Sequence, residues 1–259
     1  MKDDFAILVL SCDKYAHIWP AFFACFRKYF PECRWPVYLG SNELACSEPG
    51  VVTLLSGEDI DWSTSFLRIL RQVPERRLFI ILEDLLLASP MNASLFEQVI
   101  DFQRAEEARL IKYFRATKPD KPHQNPLFGM YDRGAPYRAV VVGFWDKACL
   151  ESLLIPGENP WNFEILGSYR TSYSDGFYCL NDKLCDFANM IEKGKWYPEA
   201  LAWAHREGLN VGESFRPTLR GRTRLISGLQ ILYYKVMLKV PWRRRLWLMN
   251  WLRKLLISY

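Results

Sequence analysis

A chain of 259 residues with 50% hydrophobic content can bury a sizeable core, which excludes a disordered protein. The formal net charge of +5 conceals an asymmetry: from Ser214 to Tyr259 there are eleven Lys or Arg and no acid, whereas the rest of the chain carries 23 basic against 29 acidic residues. Seven cysteines without a C-x-x-C pair or a Cys/His cluster argue against both a disulfide framework and a zinc site, and so for reduced thiols.

Phe5–Leu10, a run of six apolar residues, reads as a central first strand, with the polar turn Ser11-Cys12-Asp13-Lys14-Tyr15 at its carboxyl end. The run is too short, and its flank too acidic, for a secretory signal. Helical spacing of Trp19, Phe22, Phe23, Phe26 and Phe30 predicts a helix over Trp19–Tyr29, stopped by Pro31. Residues 35–41 and Val51–Leu55 follow as strands, an order that suits a nucleotide-binding α/β half. Over residues 61–73, Trp62, Phe66, Ile69, Leu70 and Val73 share one helical stripe, and Asp61 is placed to cap it.

Residues 77–87, RLFIILEDLLL, are the pivot of the chain. Five large apolar residues from Leu78 to Leu82 suit a strand covered on both faces, and they deliver Glu83 and Asp84 to its carboxyl end. Open α/β sheets bind their ligands at that end. A helix over 94–108 and a strand over 109–114 come next, and the Pro-rich stretch 115–134 reads as a long loop with His123 at its surface. Residues 137–145 (YRAVVVGFW) read as a strand and 146–154 as a helix. Asn159-Pro-Trp-Asn-Phe-Glu164 opens a short helix, 176–180 is a strand, and 193–209 holds another helix. Asp175 beside Gly176 has the composition of a turn, and is also a second carboxylate available as base or acceptor ligand.

The tail asks for an anionic partner, and its interleaved Trp and Leu favour a membrane surface over nucleic acid. Lys235, Lys239, Arg243, Arg244, Arg245, Arg253 and Lys254 interrupt every apolar stretch, so the segment is expected to lie in the interface rather than cross it. Pro241 divides it into two helices, the second with Trp242, Leu246, Met249, Leu252 and Leu256 on one side.

Three pieces in this order, Ser-Cys-Asp-Lys-Tyr after the first strand, a Trp-containing helix leading to Leu-Glu-Asp, and Asn-Pro-Trp-Asn-Phe-Glu, resemble bacterial GT-A-type glycosyltransferases of cell-surface polysaccharide biosynthesis, such as O-antigen and capsule. The likeness spans roughly residues 5–182. It implies an α/β protein: a GT-A-like, Rossmann-type α/β/α sandwich over residues 1–215, here followed by the basic amphipathic helical tail, 216–259. It also implies a nucleotide-sugar donor contacted by Ser11, Asp13, Lys14, Glu83 and Asp84, a lipid-linked or growing glycan as acceptor, and Glu164 as general base for an inverting transfer. In the family the acidic motif is usually Asp-x-Asp. Here Leu86, or Leu85 in the other register, stands in place of the second Asp, which leaves a divalent metal (Mg or Mn) open, with Asp84 as its ligand. Without a metal, Arg115, Arg138 and Arg170 are the cations available to neutralise a diphosphate. The expected location is the cytoplasmic side of the bacterial cell membrane, peripheral and attached through 216–259. The alternative is a catalytically inactive glycan-binding or assembly partner at the membrane.

Overall fold

β1 (Phe5–Leu10) is buried along its whole length, and its residues alternate between two cores, as the two-residue period of a strand requires. A 3-10 turn, Asp13–Ile18, leads from it into α1 (Trp19–Tyr29). Then come β2 (Val37–Ser41), β3 (Val51–Leu55), α2 (Trp62–Leu70), β4 (Arg77–Leu82), β5 (Leu85–Leu87) and α3 (Ala93–Ala105). They are followed by β6 (Leu110–Lys112), β7 (Lys121–Pro122), β8 (Phe128–Met130), β9 (Gly143–Asp146), α4 (Lys147–Leu153) and α5 (Pro160–Arg170). The last elements are β10 (Phe177–Leu180), β11 (Phe187–Asn189), β12 (Ile191–Glu192), β13 (Lys195–Trp196) and α6 (Pro198–Arg206). The computed structural model describes residues 4–114, 117–192 and 194–219, with Arg244 and Trp247. The chain divides into two units, Met1–Pro217 and Thr218–Tyr259. The two tail helices expected between 225 and 259 lie outside the described residues, apart from Arg244 and Trp247.

Among the described residues, nine strands form one sheet in the order β3-β2-β1-β4-β9-β6-β10-β8-β7. β1 pairs in parallel with β2 and β4, while β9 runs antiparallel between β4 and β6. The chain therefore steps from β1 outward to β2 and β3, then returns to lay β4 on the other side of β1. That reversal is a topological switch point at the carboxyl ends of β1 and β4, the place where the ligand crevice of open α/β sheets lies.

Helices cover both faces. Phe22 and Phe23 of α1, Phe96 and Val99 of α3, and Leu201 and Ala204 of α6 pack with Phe5, Ile7 and Val9. Phe66 and Ile69 of α2, Leu150 of α4 and Phe163 of α5 pack with Ala6, Leu8 and Leu10 on the other face. Each large side chain so buried contributes roughly 1.5–3 kcal/mol, which is why aromatic spacing alone locates α1. Four helices start on side-chain caps: Asp61 accepts from Thr64 N–H, Asn92 from Leu95, Asp146 from Cys149 and Asn159 from Asn162.

Three segments depart from their expected form. Residues 77–87 are two strands, because Glu83 and Asp84 turn the chain out of the sheet and β5 pairs antiparallel with β11. In 137–145 only the portion from Gly143 onward is a strand. Tyr137 takes φ 53° and Gly143 φ 151°, and a Cβ at Gly143 would lie 2.9 Å from the Ile111 carbonyl oxygen. The bent part gives its N–H groups to side chains of α5 instead: Ala139 to Ser168 Oγ at 3.1 Å and Val141 to Glu164 Oε1 at 3.3 Å. The Pro-rich stretch supplies β7 and β8 at the sheet edge, and His123 is packed in rather than exposed. Its Nδ1 accepts the Asn125 N–H at 3.0 Å, and its ring meets Phe102 edge-on. Ile191–Glu192 and Lys195–Trp196 pair antiparallel as β12 and β13, and α6 lies within the 193–209 stretch expected to hold a helix. Among the described residues no helix is long and apolar enough to cross a membrane.

Candidate active site

The carboxyl ends of β1 and β4 are level, Leu10 beside Leu82, so the 11–15 turn and the acidic turn of Glu83 and Asp84 face the crevice together. Glu83 is buried and Asp84 half-buried, and neither carboxylate closes an ion pair among the described residues. Burial pushes both pKa values up, and the charge of Asp84 raises Glu83 further. The opposing positive charge comes from Arg216, which interacts electrostatically with both acids.

Arg216 reaches this place from the far end of the chain. Its Nη2 donates to the Lys14 carbonyl oxygen at 2.7 Å, its Nε points to His17 Nε2 at 3.4 Å, and its guanidinium lies 3.9 Å over the Tyr15 ring. Phe215 stacks on His17 at 4.9 Å, fastening the same segment. The Tyr15 hydroxyl is pushed up to about 12, first by burial and then by Glu83. Nearby, the buried Tyr113 hydroxyl has no hydrogen-bond partner among the described residues and lies within electrostatic range of Asp84.

The side chains of the 11–15 turn are tied to the protein. Ser11 Oγ accepts from Trp19 Nε1 at 2.8 Å. Asp13 receives the backbone N–H groups of Asn42, Glu43 and Leu44 at 3.0–3.2 Å, which locks the loop after β1 to the loop after β2. Lys14 is exposed and ion-paired with Asp59 at 3.0 Å. The turn is thus pre-shaped, and its hydrogen-bonding capacity toward a ligand rests on backbone groups and Tyr15.

Glu164 lies on α5, where its backbone carbonyl accepts from Ser168 Oγ at 2.6 Å. Its Oε1 takes the Val141 N–H just ahead of β9, the strand beside β4, so it belongs to the same edge of the sheet as Glu83 and Asp84. Burial holds its pKa above the ordinary carboxylate range, against the opposing pull of the Val141 N–H and the positive charge of Lys112. Lys112 ends β6, fully buried, and donates to Thr117 Oγ1 at 2.8 Å and the Tyr137 carbonyl at 3.0 Å. Burial lowers its pKa to about 8. The sheet spacing puts β6 two strands, roughly 10 Å, from β4. Trp161, three residues before Glu164, is exposed.

The remaining cations and acids weighed in the sequence are employed elsewhere. Arg138 is fully buried, donating to the carbonyls of Asp132 and Ser174 and lying 4.2 Å over Phe177. Arg170 makes a two-pronged pair with Glu158, at 2.8 and 2.7 Å. Asp175 pairs with Arg133 just before β10, at the opposite edge of the sheet from the crevice. Arg115 lies outside the described residues. Arg216 and Lys112 are the residues that sequence reasoning missed: nothing local marks an arginine 202 positions from Lys14, and Lys112 reads as an ordinary strand-end lysine.

Among the described residues no three His, Cys, Asp or Glu side chains are grouped to share an ion. The acidic turn itself offers two adjacent carboxylates, Glu83 and Asp84. Leu86, in the Asp-x-Asp register, is fully buried in β5.

No protein-family model and no curated protein matches the chain. Among solved structures it is similar to residues 1–349 of S. aureus TarS, with a TM-score of 0.47 at 12% identity, covering 71% of this chain and 59% of that one. The same portion of TarS in complex with UDP gives 0.47 at 10% identity, covering 71% and 59%. In complex with UDP-GlcNAc it gives 0.46 at 11%, covering 74% and 60%. The chain therefore spans less than two thirds of these structures.

Proposed function

We propose that this chain is a GT-A-like glycosyltransferase that moves a sugar from a nucleotide-sugar donor to a lipid-linked or growing glycan acceptor with inversion. The proposed setting is cell-surface polysaccharide assembly, of the O-antigen or capsule kind, at the cytoplasmic face of a bacterial membrane that the basic tail contacts. The observation that carries this reading is the switch-point crevice between β1 and β4, lined by the 11–15 turn and the acidic turn. A nucleoside diphosphate suits it: the backbone and Tyr15 of the first turn meet the nucleotide, Glu83 and Asp84 accept hydrogen bonds from hydroxyls, and the sugar is directed along the edge toward Glu164.

The chemistry follows from one base. An acceptor hydroxyl is a weak nucleophile at neutral pH, and Glu164, with its raised pKa, is suited to take the proton as the oxygen attacks the anomeric carbon. The new C–O bond forms on the face opposite the breaking bond to phosphate, whose electron pair leaves with the nucleoside diphosphate. A single in-line displacement inverts the anomeric centre.

A specific observation also favours the alternative of an inactive glycan-binding partner: Ser11, Asp13 and Lys14 spend their side chains on the protein itself. One experiment separates the two. Purified protein is screened for thermal stabilisation by common sugar nucleotides, since a ligand that binds only the folded state raises its apparent stability, and each stabilising compound is then assayed for hydrolysis or transfer. Stabilisation with turnover supports the transferase, stabilisation without turnover the inactive partner, and silence across the panel defeats the nucleotide-sugar reading.

A further inference from the structure

We propose that Arg216 is the diphosphate-binding cation of this crevice, doing there what a divalent metal would do. This rests on the nucleotide-sugar reading and names the group that neutralises the leaving diphosphate. Two of the three guanidinium nitrogens of Arg216 are committed, Nη2 to the Lys14 carbonyl and Nε toward His17, and the flat face is held on Tyr15. Nη1 makes no hydrogen bond among the described residues. Gly194 lies beside it, where an added Cβ would stand at an ordinary van der Waals distance of 3.6 Å. A guanidinium fixed on two sides and free on the third is pre-organised for an anion, because little side-chain entropy remains to be lost on binding.

The neighbouring groups say which anion. Arg216 is tethered to the loop that follows β1, so it stands at the switch point where phosphates of a nucleotide lie in open α/β sheets. It shares that place with Glu83 and Asp84, yet forms a salt bridge with neither, so its charge is only partly compensated before a ligand arrives. Arg138 and Arg170, the other cations considered for this role, are spent within the fold. A diphosphate oxygen accepting from Nη1 gains a charge-assisted hydrogen bond. No ion has to be recruited.

The test is calorimetric binding of UDP, GDP, ADP and dTDP to the full-length chain, with excess chelator and, separately, with Mg or Mn. The expected result is that at least one nucleoside diphosphate binds in chelator and that Arg216→Gln weakens it about ten- to a hundredfold, the usual size of a hydrogen bond to a charged group. Arg216→Lys should recover part of the loss, and the matching nucleoside monophosphate should lose less than the diphosphate. Near-UV circular dichroism and the melting temperature report whether each variant folds. Unchanged affinity in a folded Arg216→Gln variant overturns the proposal. If that variant does not fold, the wild type alone decides: binding retained in chelator supports Arg216, and binding that requires metal overturns it. A wild type that binds no nucleoside diphosphate under either condition defeats the nucleotide reading, and this inference with it.

Discussion

The acidic turn and Glu164 lie on the same edge of one sheet, yet they were put there in different ways and carry different electrostatics. Glu83 and Asp84 are neighbours in sequence at the end of a regular buried strand, so a two-residue turn suffices to present them. Their environment combines burial with mutual repulsion, offset by a cation tethered from residue 216. Glu164 is a single acid on a helix, aligned by the N–H of a bent segment that has given up strand pairing, with Lys112 buried beneath the same edge. One region is organised to receive charge. The other holds one carboxylate whose burial raises its affinity for a proton.

If that division holds, the largest effect should come from Glu164→Gln, which keeps shape but cannot accept a proton. Turnover should fall by roughly 10² or more with donor affinity retained, measured by steady-state kinetics and calorimetry. Loss of donor affinity together with turnover would merge the two regions into one donor site. Asp84→Asn should act next in size, with transfer reduced about tenfold or more at an unchanged melting temperature. The loss stops short of complete because removing the Asp84 charge frees Glu83 to ionise. Full activity in Asp84→Asn would remove the acidic turn from the site.

Lys112→Met sharpens the comparison through pH. The acid limb of the wild-type rate profile should lie above the ordinary carboxylate range, since Glu164 has to be ionised to act as base. The Lys112 charge pulls Glu164 down, so the substitution should move that limb to higher pH. Stability carries a second signature. The folded pKa of Lys112, about 8, lies below its ordinary 10.5, so the folded state binds fewer protons between those values and stability rises as pH climbs through them. The rise is roughly 3 kcal/mol for such a shift, and Lys112→Met should lack it in urea titrations near pH 7.5 and pH 10.5. Parallel curves for the two proteins would show that Lys112 is not desolvated. The smallest effect, about 1 kcal/mol in the same assay, is expected for Asp61→Ala, which removes the side-chain cap of α2.

The sequence by itself determined the elements whose periodicity is dictated by burial. β1, α1, α2 and β4 were legible because Phe5–Leu10, the aromatic spacing of Trp19–Tyr29, the stripe behind Asp61 and the run up to Leu82 each satisfy one local rule. The acids after β4 were legible too, since a carboxylate pair ending such a run has few other places to go. Tertiary structure decided everything that depends on a partner distant in the chain. Residues 137–142 are as apolar as a strand, but Tyr137 and Gly143 turn the backbone and α5 takes its N–H groups, which no window of sequence contains. Lys112 became a buried amine with a lowered pKa only because Thr117, Tyr131 and Tyr137 close over it. Arg138 and Arg170 looked as available as any arginine until Asp132, Ser174 and Glu158 claimed them. Arg216 was one basic residue among the eleven of the tail, and it acquired its place from Lys14, Tyr15 and His17. The physical reason is common to all four: hydrophobic periodicity is a property of neighbours along the chain, whereas the use to which a charge is put depends on which groups the fold brings within hydrogen-bonding distance of it.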